Sequence, residues 1–114
     1  IGHDEPRGLR ALAREGELVV QVELRRHLQV ELAESELERV DELSVLDGAG
    51  QRLRIHAVRG TARFEAEAYP LREGRSDVLN VSECARTLVL SKLGAEVRRV
   101  PLVLTDEALN LVRP

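Results

Sequence analysis

The chain has 114 residues, enough for one domain around one core, and its 43% apolar and 32% charged content is that of an ordinary globular protein. A net charge of −3 leaves no positive excess to neutralise a phosphate backbone, and Phe64 and Tyr69, the only aromatic residues, make no platform for stacking bases, so nucleic acid is excluded as a main partner. The longest apolar runs are a few residues, far short of the roughly 20 needed to cross a bilayer, so no membrane partner is expected.

The basic residues are arginines apart from Lys92. That bias suits genome composition or heat adaptation, yet each guanidinium is also a fork for phosphate or carboxylate, so a local anion site is compatible with the acidic total. Cys84 is the sole cysteine, which excludes an internal disulfide and makes a reducing, cytoplasmic location the expectation. The sequence opens at Ile1 without methionine, which fits a trimmed, processed or partial polypeptide.

In chain order, residues 1–16 are expected to be a flexible or helical lead-in: Ile1 to Pro6 are polar, and Leu9, Leu12 and Ala13 suit a short helix from Arg7 to Glu15, ended near Gly16. Val20, Val22 and Leu24 alternate with polar residues and mark a strand; Leu28, Val30 and Leu32 mark a second, joined to the first by a hairpin or a bulged continuation. Ser35 with Glu38 has capping-box spacing and predicts a short helix from Glu36 to about Val40. Leu43 and Val45 lead into the turn Asp47-Gly48-Ala49-Gly50, and Leu53, Ile55 and Ala57 alternate beyond it, the clearest hairpin in the chain. After Gly60, Ala62, Phe64, Ala66 and Ala68 form one face of a strand, with Arg63, Glu65, Glu67 and Tyr69 on the other.

Next come Tyr69-Pro70-Leu71-Arg72-Glu73-Gly74-Arg75-Ser76-Asp77 and a helix expected to start at Ser82 as N-cap with Glu83 in its first turn. Glu96 to Leu104 reads as an edge or bulged strand because of Pro101, and Thr105 as the cap of a last short helix. Six or seven short strands with two to four short helices predict a mostly β fold, a single small β-barrel spanning residues 1–114.

No catalytic motif stands out. His3, His27, His56 and Cys84 lack metal-ligand spacing, so no metal site is expected; Cys84 is either a nucleophile at a helix start or simply packed. Glu65 and Glu67 lie on the outer face of a strand, which suits solvation rather than a catalytic dyad. The candidate binding set comes from the Tyr69 to Arg86 segment: Arg72 and Arg75 as anion forks, Gly74 for close backbone approach, Asn80 and Ser82 as hydrogen-bonding side chains, and the amides after Ser82, with Glu83, at a helix start. The other reading of the same residues is a solvated connection.

The run Glu67-Ala68-Tyr69-Pro70-Leu71-Arg72-Glu73-Gly74, then Asn80-Val81-Ser82-Glu83-Cys84-Ala85, resembles the C-terminal molybdopterin-dinucleotide-binding domain of the formate dehydrogenase-like molybdopterin oxidoreductases. The stretch Leu32 to Val40 is similar to that family's short capped helix, and Asp41 to Ala57 to its hairpin; the likeness covers about residues 29–104. It implies a double-psi β-barrel holding the dinucleotide end of molybdopterin guanine dinucleotide through Arg72, Gly74, Arg75, Asn80, Ser82 and Glu83, with redox chemistry in a larger catalytic domain or subunit. Ala85 stands where the family's cofactor-contacting asparagine is expected, and Asn80 and Ser82 replace one of its aromatics and its proline. Those departures favour a second expectation, a non-catalytic interaction or assembly barrel. A free-standing small-ligand or regulatory barrel is a third.

Overall fold

The computed structural model describes residues 9–15 and 18–114, with the course of the backbone alone for residues 9–15 and 18–23. The protein is mostly β, as expected, but its strands form open sheets rather than a barrel. A four-stranded sheet has the order β10-β9-β4-β7 and a five-stranded sheet the order β11-β3-β8-β5-β6. The strands are β1 (Leu9–Glu15), β2 (Leu18–Glu23), β3 (Arg25–Val30), β4 (Glu42–Asp47), β5 (Ile55–Arg59), β6 (Ala62–Ala66), β7 (Tyr69–Pro70), β8 (Leu79–Ser82), β9 (Ala85–Lys92), β10 (Ala95–Pro101) and β11 (Asn110–Val112). β1 and β2 form a separate antiparallel pair.

The core lies between the two large sheets. Leu28 and Val30 of β3, Ile55 of β5 and Leu79 and Val81 of β8 meet Leu43 and Val45 of β4 and Leu88 and Leu90 of β9, all fully buried. Burying each such side chain is worth about 1.5–3 kcal/mol, so these alternating aliphatic positions supply the drive that a core nearly free of aromatic residues needs.

Why the barrel does not close is visible at two crossings. The turn after β4 is a tight hairpin tip: the Asp47 carboxylate accepts from the amides of Ala49 and Gln51, both at 2.9 Å, and Leu53 N–H donates to Val45 C=O at 2.8 Å. The chain then leaves that sheet, and β5 pairs with β6 and β8 in the other. The second crossing is the Tyr69–Asp77 segment, described below. Between them β6 and β7 are left as unpaired edges.

Expected helices are replaced by extended chain. The helix expected over Arg7 to Glu15 is, from Leu9 on, strand β1; its first residues and Gly16 lie outside the described residues. A nine-residue helix is marginal alone, and pairing with the valine-rich β2 prevails. β2 and β3 do not pair with each other, so the chain continues rather than turning back. The capping box is not formed: a single 3-10 turn spans Glu34–Glu36, preceded by Ala33 without a side-chain cap. Ser82 starts no helix, because β8 and β9 are joined directly by Glu83-Cys84. Thr105 caps none either: the Asn110 side chain ties the loop by donating to Thr105 C=O and His27 C=O, and β11 then runs parallel to β3. β10 is an edge strand that is bulged and ends on Pro101, as the proline predicts.

Candidate functional site

The Tyr69–Asp77 segment is a strap between the sheets. Tyr69 and Pro70 pair with Leu43 and Glu42 of β4, and Leu71 N–H donates to Asp41 C=O at 2.9 Å. Arg72 and Arg75 then exchange backbone hydrogen bonds across a tight turn whose two central residues, Glu73 at φ 53° and Gly74 at φ 74°, are left-handed. Beyond the turn the strap bonds the chain leaving β3: Leu32 N–H to Gly74 C=O at 2.7 Å, Ser76 N–H to Val30 C=O at 3.0 Å, and Val30 N–H to the Ser76 hydroxyl at 2.9 Å. Ser76 is buried and completes its valences by donating to Asp77 C=O.

The candidate residues are consequently dispersed. Gly74 is buried beneath Leu37 and 3.3 Å, measured from an added Cβ, from the Cβ of Leu32, so its missing side chain makes room for packing. Arg75 pairs with Glu31 at 2.7 Å, and Arg113 holds the other oxygen of that carboxylate at 3.0 Å; the two guanidinium groups, Arg113 first, keep Glu31 below its ordinary pKa. The buried Ser82 hydroxyl accepts from Cys84 N–H at 3.1 Å and shapes the β8–β9 turn, in which Cys84 is packed. Glu83 lies 3.4 Å from Arg26 on the same turn. Asn80 is on the outer face of the five-stranded sheet, in register between His27 of β3 and His56 of β5, and its buried Oδ1 accepts no hydrogen bond. No group of three or more His, Cys, Asp or Glu among the described residues is arranged to hold a metal.

Of the set, Arg72 lines the cleft described next. A cleft of about 310 Å³ opens where β6 and β7 fail to pair. Its floor is Ala57, Phe64 and Tyr69; the aromatic rings meet edge to face at 5.1 Å and 79°, with Tyr69 buried and Phe64 36% exposed. Its rim carries Arg59, Arg63 and Arg72.

One carboxylate, Asp77, lines the same cleft and is already engaged. Its Oδ2 accepts a short hydrogen bond from the Tyr69 hydroxyl and a two-pronged one from Arg59, at 2.6 and 3.0 Å. Chiefly the Tyr69 hydroxyl, then Arg59 and the nearby charge of Arg72, hold Asp77 below its ordinary pKa. Burial, reinforced by the Asp77 hydrogen bond, pushes the Tyr69 hydroxyl above its own. Arg59 is raised by the same Asp77 bond. The triad is therefore a neutral phenol, a carboxylate and a guanidinium, locked together, while the guanidinium groups of Arg63 and Arg72 have no bonded carboxylate among the described residues.

Arg59, Arg63 and Phe64 were not among the sequence-derived candidates. Their signal is the hairpin itself: the loop Gly60-Thr61 folds Arg59 opposite Ala62 and Ala57 opposite Phe64, which brings them to one end of the sheet. No protein-family model, curated protein or solved structure matches this chain.

Proposed function

We propose that the chain is a non-catalytic interaction module that binds an anionic group in the mouth between β6 and β7 and carries out no bond chemistry of its own. The observation that supports this is the cleft lining: the guanidinium groups of Arg63 and Arg72 on the rim of an apolar, aromatic floor, with the one local carboxylate, Asp77, already engaged by Arg59 and Tyr69. Guanidinium forks suit carboxylate or phosphate, and the floor suits a flat or apolar body attached to it. A larger catalytic domain or subunit presenting such a group is the partner this reading favours, in the cytoplasm.

The molybdopterin-module reading has one structural feature in its favour, Arg72 on the cleft rim. The dispersal of Gly74, Arg75, Asn80, Ser82 and Glu83 weighs against a shared dinucleotide site. Mass and metal analysis of the intact natural polypeptide, purified with its partners, separates the two: stoichiometric molybdenum, tungsten or pterin selects the cofactor module, and a partner retained without them selects the interaction module. Benzoate, titrated as a minimal probe, is expected to shift the Phe64 and Tyr69 ring resonances saturably, and Arg63→Ala with Arg72→Ala to abolish the shift. Identical titrations for the two proteins would sink the cleft as the site.

A further inference from the structure

The edges of the two packed sheets are unequally guarded. β10 is bulged between Glu96 and Arg98 and ends on Pro101, β11 has three residues, and β7 has two, of which one is Pro70. Shortness, bulges and proline are ordinary ways of blunting an edge against another strand. β6 has none of them. Ala62–Ala66 runs five residues in unbroken register with β5, without proline or glycine, and residues 62–68 make no backbone hydrogen bond outside that ladder among the described residues.

β6 does carry two charges, but their order is complementary to its own reverse. Ala62-Arg63-Phe64-Glu65-Ala66 reads small, cation, aromatic, anion, small from one end, and small, anion, aromatic, cation, small from the other. We propose that β6 is a homodimerisation edge: two copies of this chain pair their β6 strands antiparallel about Phe64, joining the five-stranded sheets into one continuous sheet across a twofold axis. An isologous contact requires a self-complementary surface, and this strand has one.

In that register Arg63 of each copy lies opposite the partner's Glu65, Ala62 opposite the partner's Ala66, and the Phe64 rings meet at the axis. Directly opposite residues have Cβ atoms about 4.5–5.5 Å apart, within reach of ion pairing and ring contact. Hydrogen-bonding positions alternate along an antiparallel strand, so the outward amides belong either to Arg63 and Glu65 or to Ala62, Phe64 and Ala66. Both sets are symmetric about Phe64, so either is fully satisfied.

The charges also select the register. A slip of two residues sets Arg63 against the partner's Arg63 or Glu65 against the partner's Glu65, and a slip of one turns the side chains to opposite faces. Within one copy Glu65 is 3.5 Å from His56, so it remains at the sheet surface, half exposed and within reach of the incoming guanidinium. A five-residue contact is small beside the roughly 800 Å² per partner of a standard interface, so association is expected at roughly tens to hundreds of micromolar. The inference does not need a cleft ligand, but it draws on the same edge: Arg63 and Phe64 also line the cleft, so a bound anion and the partner's Glu65 compete for Arg63.

Sedimentation equilibrium of the 114-residue chain from about 10 μM to 1 mM tests it. The apparent mass is expected to rise from 12.7 kDa toward twice that value. Arg63→Glu and Glu65→Arg should each hold the protein monomeric across the range, because each sets like charges opposite one another. An equimolar mixture of the two variants should associate, since one then presents two carboxylates and the other two guanidinium groups, and Arg63→Glu/Glu65→Arg in one chain should restore self-association, which also shows that the altered strand folds. A monomer at 1 mM, or single reversals that dimerise like the parent, would overturn the proposal.

Discussion

Gly60 and Gly74 both adopt left-handed backbone conformations in tight turns, at φ 63° and 74°, yet they serve opposite ends of the molecule. Around Gly74 the turn is packed: its Cα lies beneath Leu37 and beside Leu32, and its carbonyl accepts from Leu32 N–H. Around Gly60 a Cβ would meet nothing within 4 Å, and the hairpin it closes carries the exposed strand β6. The first turn is a clamp between sheets and the second holds up one wall of an open cleft. A glycine with two arginines nearby is thus no guide to a ligand site until one knows whether the space above the glycine is filled.

The comparison is broken or sharpened first by the two aromatic residues, one on each side of the cleft. Tyr69, on the strap, is 2% exposed, and Tyr69→Ala is expected to cost about 3–5 kcal/mol in urea unfolding. Phe64, on the open wall, is 36% exposed, and Phe64→Ala should cost about 1–2 kcal/mol. Equal costs would mean that β6 is part of the core and that the cleft closes in solution.

The glycines themselves come next. Gly74→Ala combines left-handed strain with a clash: the Leu37 methyl can swing aside, but the Leu32 Cβ at 3.3 Å cannot, so a loss of about 2–3 kcal/mol is expected. Gly60→Ala carries the backbone strain alone, about 1 kcal/mol. Thermal melts of the two variants check the ordering, and a larger loss at Gly60 reverses the assignment of clamp and wall.

Ser76 measures the hydrogen bonding of the clamp separately from its packing. Ser76→Ala removes the acceptor of the buried Val30 N–H while leaving the backbone bond in the other direction, from Ser76 N–H to Val30 C=O. An orphaned buried donor costs about 1–3 kcal/mol, read as a lowered urea midpoint with an unchanged slope. Faster hydrogen exchange at Val30, without a change at Ala57, would place the weakened bond on the strap.

The alternating aliphatic residues made the β class and several strands legible, because period-2 alternation is a local sequence pattern: Val20 and Val22, Leu28 and Val30, Leu43 and Val45, and Ile55 and Ala57 all lie in strands. Closure into a barrel was not legible, since it depends on which edge strands pair, and the Asp47–Gly50 hairpin reads the same whether its second arm stays in the sheet or crosses over. Ser82 misled because a short hydroxyl side chain bonds nearby amides in turns as readily as at helix starts: it accepts from Cys84 N–H in the turn by which the chain passes from the five-stranded to the four-stranded sheet. The site was half legible. Arg72, Tyr69 and Asp77 lie in the segment that composition singled out, whereas Arg59 and Arg63 are brought there by hairpin register, and Gly74 and Arg75 turned to internal contacts that no spacing foretells.

The smallest expected effect concerns the link between clamp and wall, the Arg59–Asp77–Tyr69 triad. Asp77 has a folded-state pKa below its ordinary value, so it binds protons less readily folded than unfolded. Its contribution is therefore present above the ordinary carboxyl range and is lost as pH falls through the depressed folded value, below about pH 4. The Asp77 side chain is 33% exposed, so screening keeps the effect modest and makes it weaken with salt. Urea midpoints of the parent and Asp77→Asn should differ at pH 6 and converge toward pH 2. Tyr69 supplies the opposite limb: its raised pKa makes stability fall as pH rises beyond the ordinary tyrosine range, where the unfolded phenol ionises first, and Tyr69→Phe should flatten that limb while leaving the acid limb partly in place through Arg59. A gap between parent and Asp77→Asn that stays constant from pH 6 to pH 2 would mean that the carboxylate titrates normally and that Arg59, left mobile, belongs with Arg63 and Arg72 as a third guanidinium open to an incoming anion.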